Sequence, residues 1–522
     1  MNIQVEKDRK IIRNEAFIKK AEELKPSLKT EVAKPIHLVK TIEDKDIIHG
    51  WKCVEIEPAV NLVEKDFKKG ESFIVDFGKH QVGYLSMRVR PVGSPPDAPL
   101  HMRLTFGEMP VEVSVPFSDY NGWISSSWLQ EETIHVDVLP GTVSFPRRYS
   151  FRYLKVEILD TSVKYNVAFD EVTCETVTSA DSSTLTELHH HDRELQQIDA
   201  VSIKTLEDCM QDVFEDGPKR DRRLWLGDLR LQALANYETF KNNDLVKRCL
   251  YLFAGVPNDQ GQVSANLFIA PTLVPDDTYL YDYSLFFTTT LYDYFQATND
   301  RETLEELWPI AYRQVELALE KLNDRGIVED SPTWWSFIDW HEELNKQGPS
   351  QAILIYALKR TITLAEILVD NKKSFLEKKL TEVVDSSIQH LWDEQQGFFV
   401  SGETRQVSWA SQVWMVLAQV LSQKENKKLM KRLLEQNPTI GMNTPYMYHH
   451  LVEALLLIEE KEKAIDMLKT YWGGMIKDGA DTFWELYNPN DKAYSPYGSY
   501  LINSYCHAWS CTPTYLIRKY DL

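Results

Sequence analysis

Two units follow one another along this chain, an N-terminal antiparallel β-sandwich and an all-helical domain. Two observations predict this. Apolar residues recur every second position up to about residue 185, and at helical spacing from about residue 190 onward. Turn residues divide the first region into short segments, as in Gly93-Ser94-Pro95-Pro96 and Pro140-Gly141. The expected boundaries are an N-terminal extension over 1–50, with a short helix and a first strand, a sandwich over 51–185 and a helical domain over 186–522.

In the extension, Phe17, Ala21 and Leu24 share one face of a segment from Asn14 to Leu24, which predicts a short amphipathic helix. Within the sandwich, Leu85, Met87 and Val89 alternate with Ser86, Arg88 and Arg90. Ile134, Val136 and Val138 alternate with His135 and Asp137, and Leu154, Val156 and Ile158 with Lys155 and Glu157. Further on, Leu229, Leu231, Leu234 and Tyr237 predict a helix after Gly227-Asp228. Leu354, Leu358, Ile362, Ala365 and Val369 mark one helix face. Leu451, Ala454, Leu455, Ile458, Ala464 and Met467 mark others on either side of a charged turn. The remaining length suits twelve helix-plus-loop units, and no internal sequence repeat accompanies them.

Charge narrows the function. With 58 basic and 78 acidic residues the net charge is −20. Phosphate backbones and anionic membranes call for a positive surface, so neither nucleic acid nor membrane is an expected partner. No run reaches the ~18 apolar residues of a membrane span. The opening Met1-Asn2-Ile3-Gln4-Val5-Glu6-Lys7-Asp8 lacks the apolar core of a signal peptide. Six scattered cysteines without a CxxC pair fit a reduced, cytoplasmic protein. No HExxH, Cys/His ligand spacing or phosphate loop is present, so no cofactor or metal is expected, although scattered carboxylates leave a Ca²⁺ site open. The run His189-His190-His191-Asp192 reads as a solvated helix entrance, because consecutive residues point in different directions. The 14 Trp and 24 Tyr stand out; most are expected in the core, but an aromatic with a polar edge also makes a good wall for a sugar-binding cleft.

The chemistry concentrates in Glu215-Asp216-Gly217-Pro218-Lys219-Arg220-Asp221-Arg222-Arg223-Leu224-Trp225-Leu226-Gly227-Asp228. Gly217-Pro218 ends any preceding helix, and Gly227-Asp228 opens the next. Carboxylates on such a turn are either ligand-facing or part of a salt-bridged helix connection. The segment resembles the signature of bacterial α-L-rhamnosidases, glycoside hydrolase family 78, with Asp216, Arg220, Arg222, Trp225, Gly227 and Asp228 in place. Asp221 stands where that family has a Glu. Gly479-Ala480-Asp481-Thr482-Phe483-Trp484-Glu485 is similar to a second family block. Asp282-Tyr283, Trp335-Ser336-Phe337-Ile338-Asp339-Trp340 and Ser504-Tyr505-Cys506-His507-Ala508-Trp509-Ser510 resemble three more.

The resemblance implies an (α/α)6 toroid as catalytic domain, without the C-terminal β-sandwich that family members often add. It also implies an inverting glycosidase, in which one carboxyl protonates the leaving oxygen and another activates water. Asp221 is the implied acid and Glu485 the implied base. Asp216, Arg220, Trp225, Asp228, Asp282, Trp335, Asp339, Trp340, Trp484 and His507 are the implied sugar contacts. For Trp335, Trp340 and Trp484 a core position is the alternative, and for His507 a satisfied core histidine. The expected partner is a small rhamnoside or related glycoside, with homo-oligomer formation open. Two other readings stand beside this one: a toroid hydrolase of another α-linked sugar, and a non-catalytic sugar-binding protein descended from an enzyme.

Overall fold

The computed structural model describes residues 8–329, 331 and 334–522, so the charged opening run falls outside the described residues except for Asp8. A first helix, α1 (Glu15–Glu23), is capped by Asn14, whose Oδ1 accepts the Phe17 N–H at 3.2 Å. Nine strands follow: β1 (Lys29–Ala33), β2 (His37–Glu43), β3 (Trp51–Pro58), β4 (Ser72–Gly93), β5 (Leu100–Gly107), β6 (Glu131–Val136), β7 (Gly141–Ser144), β8 (Tyr149–Asp160) and β9 (Tyr165–Thr178). They form one antiparallel sheet of order β1-β9-β4-β8-β5-β6, with β2 and β7 branching from β4 and β3 from β2.

β4 organises this domain. Its first part pairs with β2 and β8, its second with β7 and β9, and its register against β8 shifts between Asp76 and Gln81. The shift bends the strand, so the sheet folds over a core that includes Phe73, Val75, Leu85, Met87, Leu104, Phe151, Val156 and Phe169. The alternations at 85–89 and 154–158 face this core. Val138 does not: it lies beyond the end of β6 and is 76% exposed. The extension expected at 1–50 is likewise no separate unit. It holds two strands, both paired into the sheet.

After residue 190 come twelve helices among the described residues: α2 (Arg193–Cys209), α3 (Leu226–Glu238), α4 (Asn243–Ala254), α5 (Tyr281–Thr298), α6 (Arg301–Leu319), α7 (Gln347–Leu368), α8 (Lys373–Leu391), α9 (Trp409–Leu417), α10 (Gln423–Gln436), α11 (Pro445–Leu457), α12 (Lys461–Lys477) and α13 (Pro513–Lys519). The odd-numbered helices from α3 to α13 pack each on the next, and α13 returns to α3, closing an inner ring. The even-numbered ones cover it from outside. Composition sorts the two rings. Every residue of α9 is buried, and α3 is buried nearly all round, as suits a helix with neighbours on every side. In α10, by contrast, only Asn426, Leu429, Met430 and Leu433 are buried. The expected toroid is therefore the observed one. Within α7 the stripe from Leu354 to Ala365 faces inward. Val369 departs from it, because the chain turns left-handed there (φ 56°) and leaves the residue 88% exposed.

The two domains meet over buried charge. Asp208, on α2, accepts from His80 Nδ1 at 2.7 Å and from Lys204 Nζ at 2.6 Å, while Ser150 donates to Glu108 at 2.7 Å. Burial opposes a charge on His80, yet hydrogen bonds to Asp208 and Glu108 hold its pKa well above the usual range. Asp192 caps α2 by accepting from Glu194 N–H at 3.0 Å, and the three preceding histidines form the expected helix entrance.

Candidate active site

The segment between α2 and α3 supplies most of the charged groups. Asp216 is fixed by a short ladder: its N–H donates to Arg223 O, its Oδ1 accepts from Arg223 N–H, and its carbonyl accepts from Ala508 N–H. At Gly217 a Cβ would stand 2.9 Å from Ser504 Oγ, so only glycine lets this loop lie against the 504–507 strand-like segment. Asp221 and Arg222 both take left-handed backbone, with φ of 63° and 54°. Asp is one of the few side chains that tolerate this region, and it turns the 221 carboxyl out of the loop. Gly227, in the first turn of α3, would drive a Cβ to 2.4 Å from the Tyr283 ring. Its absence lets the first turn of α3, which carries Asp228, pack close against that ring.

Glu485 lies on the opposite wall, between α12 and α13. Oε2 accepts from Arg220 Nη2 and from Ser504 N–H, and Oε1 accepts from the Tyr497 hydroxyl. Its backbone is held by Ser504 O and by the Trp509 indole N–H. Arg220 Nη1 stands 3.7 Å from Asp221 Oδ1. One planar guanidinium thus carries both carboxylates, and their oxygens are no more than about 9 Å apart, close enough to flank one glycosidic bond and its attacking water.

Electrostatics divides the carboxyls into two kinds. Burial pushes Glu485 up, but Arg220 and the Tyr497 hydrogen bond outweigh it and hold the pKa below the ordinary value. Asp216 is pushed well above its usual range by burial and by the like charges of Asp221 and Asp228. Asp228 is raised too, chiefly by burial and then by Glu485. His507 lies between them, 4.0 Å from Asp216 and 3.6 Å from Asp228, and burial lowers its pKa to about 4. Burial thus favours the neutral forms of His507, Asp216 and Asp228, while the Arg220 pairing favours the ionised form of Glu485. Asp228 Oδ1, His507 Nδ1 and Trp340 Nε1 are buried without hydrogen-bond partners. Three unmet polar atoms on residues around the carboxyl cluster suit a ligand rich in hydroxyls.

Asp216, Arg220, Asp221, Asp228, Glu485 and His507 converge. The other expected contacts divide. Asp282 is taken up by the N–H groups of Tyr283, Phe337 and Ile338 at 3.0–3.1 Å, and Asp339 by Trp340 N–H, Asn443 N–H and the Thr444 hydroxyl. These two carboxylates shape the cleft wall instead of presenting free oxygens to a sugar. Trp484 is a core residue, fully buried against Tyr487 and Tyr505, because its neighbour Glu485 alone turns toward the cleft. Trp335 covers Lys346, Trp225 meets the Tyr283 edge, and Trp340 stands edge-on to Tyr497. Arg222 reaches away to Arg148 O. Sequence reasoning missed Tyr497, which sits in an aperiodic, tyrosine-rich loop with no signal beyond the Pro496–Gly498 turn. It also missed Lys219, whose buried Nζ bonds Glu112 of the sheet domain and Asn503 O.

Family models match in two pieces. Residues 35–176 match the N-terminal domain of glycosyl hydrolase family 78 α-rhamnosidases, and residues 184–520 match the bacterial α-L-rhamnosidase six-hairpin glycosidase domain. The chain belongs to glycoside hydrolase family 78. Among solved structures, it is similar to a rhamnosidase from Klebsiella oxytoca with rhamnose bound, at 50% identity and a TM-score of 0.97, covering 98% of this chain and all of the other. Its fold is also that of the family 78 rhamnosidase of Bacillus sp. GL1 (20% identity, TM-score 0.74, 90% of this chain and 49% of the other). The α-L-rhamnosidase of Streptomyces avermitilis complexed with L-rhamnose shares the fold too (16%, 0.63, 95% and 44%). The chain spans about half the length of these last two. Curated proteins gave no match. As a family 78 member, the protein is a glycosidase, with its carboxyl cluster at the mouth of the toroid.

Proposed function

We propose that this family 78 glycosidase removes terminal α-L-rhamnose from small rhamnosides by single displacement with inversion. The observation that carries the reading is the Arg220 guanidinium shared by Asp221 and Glu485. Glu485, kept ionised, takes a proton from water as it attacks the anomeric carbon. Asp221, the more exposed of the pair, protonates the departing oxygen. Asp216, Asp228 and His507 bind ring hydroxyls. A cytoplasmic site of action is part of the proposal, supported by six cysteines that are all free thiols.

The test uses leaving groups of different need. A nitrophenolate departs readily without a proton, whereas an alkoxide does not. Asp221→Asn is expected to cost ~10²–10⁴-fold on an alkyl rhamnoside, the usual range for acid catalysis, and much less on a nitrophenyl rhamnoside. Equal losses on both would remove Asp221 from the acid role and bring Asp216 or Asp228 forward. NMR of the first-formed sugar reads the anomer, and a retained configuration would overturn inversion.

A further inference from the structure

Where the two domains meet, four side chains of metal-ligating type come together. His80 lies in the irregular stretch of β4 between Asp76 and Gln81 and is fully buried. Asp208 and Cys209 are the last two residues of α2, and Cys506 belongs to the segment that carries His507. A ring nitrogen of His80, an oxygen of Asp208 and the Cys506 sulfur all lie within 4.8 Å of one another. The Cys209 sulfur is 4.0 Å from that of Cys506. Two thiolates on one tetrahedral zinc, with bonds of ~2.3 Å, stand about 3.8 Å apart. Both thiols are buried, and each meets only a backbone carbonyl at 4.0 Å, Asp216 O for Cys209 and Thr205 O for Cys506. Ion pairing accounts for His80 and Asp208 but not for two sulfurs beside them.

We infer that His80, Asp208, Cys209 and Cys506 form a structural zinc site. His80 Nδ1 now meets Asp208 Oδ2 at 2.7 Å. Zinc replaces the shared proton and parts the two atoms by roughly 0.6 Å, given bonds of ~2.1 Å. His80 Nε2 keeps its proton for Glu108 Oε1, 3.1 Å away, the carboxylate–histidine arrangement that fixes the tautomer of a metal-bound imidazole. Asp208 Oδ1 stays with Lys204 Nζ at 2.6 Å. Both thiol protons leave to solvent, and the three anionic ligands then offset the divalent ion and Lys204. Two sulfurs and an imidazole select zinc over magnesium or calcium, which take oxygen. A cavity of about 530 Å³, bounded by residues that include Val32, Ser183, Lys204 and Asp208, supplies a way in, since Val32 and Ser183 are exposed. The ion ties β4 and α2 to the segment in which Ser504 N–H reaches Glu485. The site is independent of the sugar the enzyme takes.

The test uses the full chain, kept reduced, stripped with a chelator and titrated with Zn²⁺ alone. One zinc per chain is expected by elemental analysis, with a rise in melting temperature. Co²⁺ in its place is expected to give a thiolate-to-cobalt charge-transfer band. Cys209→Ser and Cys506→Ser are each expected to weaken zinc binding by roughly 100-fold or more, and Glu108→Gln by the ~10–100-fold that loss of a ligand's hydrogen-bond partner costs. Cys53→Ser, at the one cysteine that is not buried, is expected to change nothing. The inference is overturned if the wild-type protein takes up no zinc, if the cobalt form lacks the thiolate band, or if either buried-cysteine variant binds as well as wild type. Loss of binding in Cys53→Ser would equally overturn it, placing the metal on a surface thiol. The wild-type measurements decide the matter even where a variant fails to fold, and none of them involves a glycoside, so their outcome is separate from that of the proposed function.

Discussion

Arg220 does two jobs at one point: it holds Glu485 in line and keeps it ionised. The second has a measurable sign. A base with a lowered pKa stays active as pH falls, and activity disappears only when the pH drops through that lowered value. Arg220→Met is therefore expected to move the acidic limb of the kcat/KM profile to higher pH, and a pH–rate curve checks it. An unmoved limb would mean that another group sets the profile. Glu485→Gln should abolish turnover while rhamnose binding, followed by calorimetry, stays nearly intact, because a base acts chiefly in the transition state. A variant retaining more than a tenth of wild-type turnover would remove Glu485 from the base role. Asp221, which differs from the Glu of the resembled family signature, sits in left-handed backbone that suits Asp better than a longer side chain.

At the level of single elements, the first turn of α3 depends on a missing side chain. Gly227→Ala places a methyl group against the Tyr283 ring and is expected to destabilise the protein by about 2 kcal/mol, the range for overpacking a close-packed site. The check is a denaturant midpoint, with Tyr283→Leu as the second substitution that should restore it. Elements were the most legible level of the sequence. Period-2 runs at 85–89 and 154–158 and the helical stripes of α7 and α11 all face cores. The failures, Val138 and Val369, fall just past element ends, where an apolar residue continues the pattern after the backbone has left it. In the site, residues of the charged turn were readable because several chemical types coincide within a few positions. Asp282 and Asp339 misled, since a carboxylate that accepts backbone N–H groups has the same sequence appearance as one that binds a ligand. Lys219 was invisible because its role arises from a contact between loops hundreds of residues apart, and Tyr497 because its bond to Glu485 lies within an aperiodic loop.

Across the whole molecule, the sheet domain supports the catalytic loop through buried ion pairs, among them that of Lys219 with Glu112. Lys219 Nζ bonds Glu112 Oε1 at 2.5 Å, and Glu112 Oε2 in turn accepts the N–H groups of Glu108 and Met109. Lys219→Met leaves Glu112 buried without its partner, so a loss of about 3–5 kcal/mol is expected, with both domains unfolding in one calorimetric transition. Two separate transitions in the wild-type protein would show that the interface does not couple the domains. The closed inner ring has a further consequence for assembly. Asp221 precedes the first inner helix and Glu485 precedes the last, so the two ends of the helical domain meet both at the clamp on Arg220 and where α13 packs on α3. The last helix, α13, locks that ring against α2 and α3. Closing the ring and bringing Asp221 and Glu485 onto one guanidinium are thus a single step of assembly.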